Sequence, residues 1–296
     1  MIRRRSLLAL ALSFGSILPT AAVAQSPDDD WPKPDEAWQP PVWVGDVTFL
    51  GANALLGGLT AGILREIRGG SFTDGFATGA LGGAVSYGGR RLAGQSFWGA
   101  GLLGREVSAI GSSVVRNAGE AQPALSRLTL RAGPVILDVR RGAGAGVRAS
   151  VDGYTTMWLL AAIFDDRLRM DWNASLSAGA PVFDAPNHFP RYDGRQLLGM
   201  APGGLVLLGK DARAVPDTDV FAHERIHVLQ YDFAAELWGR PLETWLAGLI
   251  PGGATVVRFV QPGVTYPLIH GAVAGIFDTE WHDRPWEIEA AYIEHR

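Results

Sequence analysis

Apolar and polar residues alternate from Ser126 to Arg131 and again from Pro134 to Arg140, with Gly133-Pro134 between the two runs. A period of two is that of a strand with one covered face, so the pair reads as two strands joined by a turn. Strand-like runs follow at Gly146–Val151, Tyr154–Phe164, Leu168–Leu176 and Leu205–Leu208, punctuated by Gly153, Asp165-Asp166 and Gly179. Together they predict a short antiparallel meander. Upstream the texture differs. Val47 to Leu64 carries no charge, Gly58 and Gly62 are spaced small-xxx-small, and Gly75, Gly79 and Gly83 repeat that spacing. Such spacing lets helix backbones approach closely. Each glycine lowers helix propensity by roughly 1 kcal/mol relative to alanine, so these helices depend on tight partners. The apolar segments sit at or below the length that spans a bilayer, and Arg65, Glu66 and Arg68 interrupt them, which favours packed or peripheral helices over insertion.

Two more helices are predicted downstream. Asp217 to Trp238 has acids at its start, Asp217 or Thr218 as a cap, and Gly239 and Pro241 to end it. Asp283 to His295 starts from Asp283 with Pro285 in the first turn. The fold class expected is α+β. Residues 46–120 form a Gly-rich helical segment and 121–296 a domain of meander and helices.

Residues 1–24 stand apart. Arg3, Arg4 and Arg5 precede an apolar run from Leu7 to Val23, and Ala22-Val23-Ala24 is a small-x-small cleavage site, the pattern of a signal peptide. Export to the periplasm or the extracellular space is expected. Residues 25–45, with five prolines and Trp31, Trp38 and Trp43, read as an extended linker that packs on a surface. Removing residues 1–24, which hold three arginines and no acid, takes the formal charge from −4 to −7. No basic stripe remains to hold phosphates, so nucleic acid is not an expected partner. The chain has no cysteine, and its fold must rest on its core or on a metal.

The chemistry is concentrated in Phe221–Tyr231, which contains His223-Glu224-x-x-His227. Residues four apart share a helix face, so both imidazoles can address one metal ion, with Glu224 beside its open position. A catalytic zinc site takes three protein ligands. A histidine six residues beyond His227, after an intervening glycine, would complete one known arrangement, but those positions hold neither residue. A carboxylate from a later helix is the other route, and Trp286-Glu287-Ile288-Glu289-Ala290-Ala291 offers Glu287, with Glu289 as its competitor.

These pieces resemble the gluzincin branch of the zinc metallopeptidases. The first piece, extended to Val228 and Gln230, is also similar to the metallopeptidase domain associated with extracellular contractile injection systems. The resemblance covers about the last eighty residues. It implies zincin-like helices, Zn2+ as cofactor, His223, His227 and Glu287 as ligands, Glu224 as general base and a peptide or protein as substrate. One departure is plain: where such proteins carry an aspartate that orients a ligand histidine, this chain has Ala291. A second donor for the developing oxyanion would come from His282, Tyr266 or Tyr292, with His282, just before the ligand helix, in front.

A competing reading is an envelope-associated structural or interaction protein. In it the glycine-zipper helices make peripheral membrane contact and the metal site is structural or degenerate.

Overall fold

The computed structural model describes residues 41–142, 144–185, 198–209, 212, 219–263 and 285–294, with the backbone of the pairs 23–24, 191–192 and 195–196. The linker, apart from 41–45, and nearly all of the signal-peptide region lie outside these residues. Mixed helix and sheet make the architecture α+β.

Three helices form the Gly-rich part, α1 (Val42–Ile67), α2 (Phe72–Ala93) and α3 (Ala100–Gly119); the first begins inside the expected extended linker, and Trp43 on it is exposed, not packed. α2 lies between the other two and presents small residues to both. A Cβ on Gly79 or Gly83 would overlap backbone of α1 at Gly57 and Asn53, and one on Gly82 would meet Gly111 O of α3 at 2.7 Å. The spacing predicted close approach of helix backbones. The second seam, at Gly82, Ser86 and Gly89 against Gly104, Ser108 and Gly111, makes the arrangement a triple. Among the described residues, Trp43–Ile67 has the length and mean hydropathy (1.6) of a membrane span.

The predicted hairpin is present as β1 (Arg127–Ala132) and β2 (Val135–Arg140), and β3 (Gly146–Asp152) pairs antiparallel with β2. Beyond β3 the meander gives way. The run expected as a strand at Tyr154–Phe164 is helix α4 (Gly153–Phe164), whose first turn is capped by Asp152 Oδ1 accepting from Thr155 N at 2.8 Å. A continuous apolar run fits either period, and the Asp152 cap tips it to helix. Likewise Leu168–Leu176 splits into a two-residue strand β4 (Arg169–Met170) and helix α5 (Trp172–Ala178), capped by Asp171 and ended by Gly179 in the left-handed region. β5 (Val182–Ala185), β6 (Gly199–Met200) and β7 (Val206–Gly209) complete a second, mixed sheet. Its order is Val23–Ala24, β6, β7, β5, β4, and β5 and β7 run parallel.

The first sheet has an unusual polarity. Thr129, Arg131, Asp138, Ser150 and Asp152 share the face turned toward α3, and all are buried. They meet charged and polar side chains of α3 and of Tyr231, Asp232 and Glu236 further along the chain. Arg105 Nε donates to Asp232 Oδ2 at 2.7 Å, Arg116 pairs with Glu236, Arg131 Nη1 lies 3.3 Å from Asp152 Oδ2, and the Tyr231 hydroxyl donates to Asp152. Burial takes the Arg116 guanidinium down to about 9, with Arg127 and Arg240 adding to the effect. The opposite face is apolar in every row: Leu128–Val139–Val147, Leu130–Leu137–Ala149, and Ala132–Val135–Val151–Val260. The last residue belongs to β8 (Val260–Gln261), which joins β3 in parallel.

Helix α6 (Val220–Ala234) is buried along almost its whole length, between α2 and α3 on one side and β6 and β7 on another. Its cap is Asp219, which accepts from Ala222 N at 2.9 Å, two residues or fewer from the predicted caps. Gly239 and Pro241 do not end the helical course. A π-turn, Ala235–Gly239, shifts the register, and α7 (Arg240–Ala247) follows. Pro241 thereby falls in the first turn of a new segment, where its missing N–H costs nothing. A short turn of helix, α8 (Gly253–Val256), leads to β8. The last described helix, α9 (Pro285–Glu294), packs against α6.

Candidate metal centre

α6 supplies His223 and His227 from adjacent turns of one face, and α9 supplies Glu287. His223 Nε2 and His227 Nε2 are 2.9 Å apart, and Glu287 Oε2 lies 3.3 Å and 3.2 Å from them. All three side chains are buried. A tetrahedral ion with bonds of about 2.0–2.1 Å separates its ligand atoms by roughly 3.3 Å, so the triangle has the dimensions of three zinc ligands.

The far nitrogens of the two rings decide what the triangle is made of. Gln230, three residues after His227, donates from Nε2 to Glu289 Oε2 at 2.8 Å and to Trp286 O at 3.1 Å. Its amide oxygen is therefore left facing His227 Nδ1 at 2.7 Å, and that nitrogen must carry the hydrogen. His223 Nδ1 faces the carboxylate of Glu294 at 2.9 Å, which holds its hydrogen in the same way. Both Nε2 atoms then turn lone pairs toward each other and toward a carboxylate. Three acceptors at this separation need a cation among them.

In the metal-free chain a proton answers that need. Burial disfavours the charged ring of His223, but hydrogen bonds and charges from Glu287 and Glu294 outweigh it and raise its pKa well above the ordinary value. Burial likewise pushes the Glu287 carboxyl up, while His227 and His223 hold it down to about 2.

Glu294 answers the question raised by Ala291. It lies seven residues after Glu287, two helical turns along the same face, and it orients His223 where an aspartate was missing. Gln230 does the same for His227. Neither role was assigned from sequence, although both spacings, three and seven residues, place these side chains on the ligand faces. Glu289, the competing ligand, is not in the triangle. It pairs with Arg90 Nε at 3.1 Å and accepts from Asn53 Nδ2 at 3.0 Å, which ties α1 and α2 to the site.

Glu224 is buried beside the triangle, against β6. A Cβ on Gly199 would approach Glu224 Oε1 to 2.7 Å, so only glycine lets the strand run this close to the carboxylate. Of the candidate oxyanion donors, His282 and Tyr266 lie outside the described residues. Tyr292 packs on Phe49, ring centroids 5.1 Å apart, with Arg91 over its ring, and so faces α1. Arg225, next in the chain, covers the Phe221 ring at 4.6 Å.

The chain matches no family model, no curated protein and no solved structure.

Proposed function

We propose that the protein is an exported zinc-dependent metallohydrolase acting on peptide bonds. The observation that carries this reading is the convergence of three acceptor atoms, fixed as acceptors by Gln230 and Glu294, beside a buried glutamate. Zinc bound there would lower the pKa of a water molecule and polarise a carbonyl oxygen. His223, His227 and Glu287 would hold the ion. Glu224 takes the proton from the attacking water and passes it to the leaving amine. Gln230 and Glu294 keep the imidazoles turned so that Nε2 stays available.

The test is zinc stoichiometry of the purified chain with His227→Ala in parallel, followed by peptide hydrolysis with Glu224→Gln. The expected result is one zinc per chain, lost in the histidine variant. Glu224→Gln should retain the zinc and lose hydrolysis. A folded, zinc-supplied wild type without zinc overturns the reading.

The burial of all three ligands supports a second reading, in which the metal is structural. Structural zinc sites are closed, whereas catalytic ones keep a position open. Four protein ligands by X-ray absorption, with no hydrolysis by the zinc-loaded wild type, would decide for it.

A further inference from the structure

The hydrogen-bond polarity around His227 does not end at Gln230. It runs through α9 into the Gly-rich helices along buried side chains, where a wrongly turned polar group is costly. An arginine can donate but not accept. Arg90, on α2, donates from Nη2 to Asn53 Oδ1, from Nη1 to Ser86 Oγ at 3.3 Å and from Nε to Glu289 Oε1 at 3.1 Å. With its oxygen turned to Arg90, the Asn53 amide on α1 presents Nδ2. That nitrogen donates to Phe49 O at 2.9 Å and to the same Glu289 oxygen at 3.0 Å.

Glu289 Oε1 thus meets two donors, and Oε2 meets a third, Gln230 Nε2, at 2.8 Å. An ionised carboxylate accepts on both sides, so hydrogens point into it from α1 and α2 and also from α6. The Gln230 oxygen is left on His227 Nδ1, and the ring keeps its lone pair at Nε2. The Trp286 carbonyl, 3.1 Å from Gln230 Nε2, favours the same orientation. Turned the other way, the Gln230 oxygen would face two acceptors, of which the carboxylate is the stronger.

We propose that Glu289 is a positioning residue that sets the tautomer of His227, and that Arg90 and Asn53 hold it in that role. The pairing with Arg90 also balances a buried charge, which is a purely structural use. Glu289→Gln separates the two. The glutamine keeps the shape and the oxygen that Arg90 and Asn53 require, so its NH2 falls where Oε2 was. Donor then meets donor at Gln230 Nε2. Turning the Gln230 amide relieves this, but it hands an N–H to His227 Nδ1 and sends the ring hydrogen to Nε2, into the triangle. Adding Gln230→Glu restores an acceptor for both His227 Nδ1–H and the new NH2.

The first readout is the tautomer in the metal-free full chain. Long-range proton–nitrogen NMR spectra of the six histidines give it, with the His227 signals assigned by their loss in His227→Ala. Wild type should show Nδ1–H, Glu289→Gln a shift to Nε2–H, and the double variant a return to Nδ1–H. Circular dichroism checks the fold of each. The second readout, zinc affinity by competition with a fluorescent chelator, rests on the zinc reading proposed above. It should fall roughly tenfold or more in Glu289→Gln and recover in the double variant. A wild type in the Nε2–H form overturns the proposal without any variant. A Glu289→Gln chain that loses stability yet keeps Nδ1–H overturns it too, and leaves Glu289 as a charge partner of Arg90. So does a fall in zinc affinity that the double variant does not recover. A chain that takes no zinc but switches tautomer in this way sinks the metallohydrolase and supports the role of Glu289.

Discussion

His223 and His227 meet nitrogen to nitrogen, Nε2 to Nε2, at 2.9 Å inside the protein. Two lone pairs at that distance repel unless a proton or a metal lies among them and Glu287. Stability should therefore be linked to the ion. Free zinc at a thousand times its Kd stabilises the fold by about 4 kcal/mol, and a chelator removes that gain. Thermal unfolding with and without chelator, followed by re-addition of zinc, measures it. An unchanged Tm would separate the triangle from metal binding.

Glu294→Ala frees His223 Nδ1 and lets the ring turn. Zinc affinity should fall by 10- to 100-fold, the range typical for loss of an outer partner of a ligand histidine. Gln230→Ala should act similarly through His227. Competition with a fluorescent chelator gives both affinities, and circular dichroism separates the effect from misfolding.

The Gly-rich helices offer a matched pair of substitutions. Gly83→Ala drives a methyl into the backbone of α1 at Asn53 and should cost about 1–3 kcal/mol or more. Gly88→Ala, five residues on in the same helix with open space at its Cβ, should stabilise by about 0.4–1 kcal/mol. Denaturant titration of the two variants reads opposite signs. A similar loss in both would mean that α2 does not lie against α1 in this register.

Asp138 predicts an acid response. Burial raises its pKa, but hydrogen bonds and charges from Arg240 and Arg127 outweigh it and hold the carboxyl well below the ordinary range. In the unfolded chain the same group takes up a proton near pH 4. Its contribution to stability is thus complete above about pH 4 and is lost as the pH falls toward the folded value. Asp138→Asn should lower Tm at pH 7 and flatten the fall of Tm between about pH 4 and 2. Parallel curves for variant and wild type would contradict this.

What could be read in advance depended on how local the cause was. The α6 helix and the β1–β2 hairpin rest on capping, turn and period-two signals within a few residues. The helix α4 was hidden because Tyr154–Phe164 is apolar throughout, so period says little and the Asp152 cap decides. The polarity of the first sheet was hidden for another reason. Alternation shows that Thr129 and Arg131 share one face and Leu128 and Leu130 the other. Which face turns inward is set by Arg116 and Glu236, from elsewhere in the chain. At the candidate metal centre His223, His227 and Glu287 were visible as motif and spacing. Arg90, in contrast, reaches it through Glu289 across 199 residues, a relationship that no local pattern carries.

That separation bears on the order of events as the chain leaves the ribosome. Arg90 emerges early, inside the glycine seam, and is almost fully enclosed in the finished fold. Its carboxylate partner, Glu289, arrives on α9, two residues after Glu287. Asn53 and Ser86, on the first two helices, already accept from that guanidinium, but its charge is balanced only when Glu289 docks. The same docking brings Glu287 to the two histidines. One helix, α9, thus closes both the charge balance of the helical core and the candidate metal site, so a chain that ends before it should be less stable and should bind zinc more weakly.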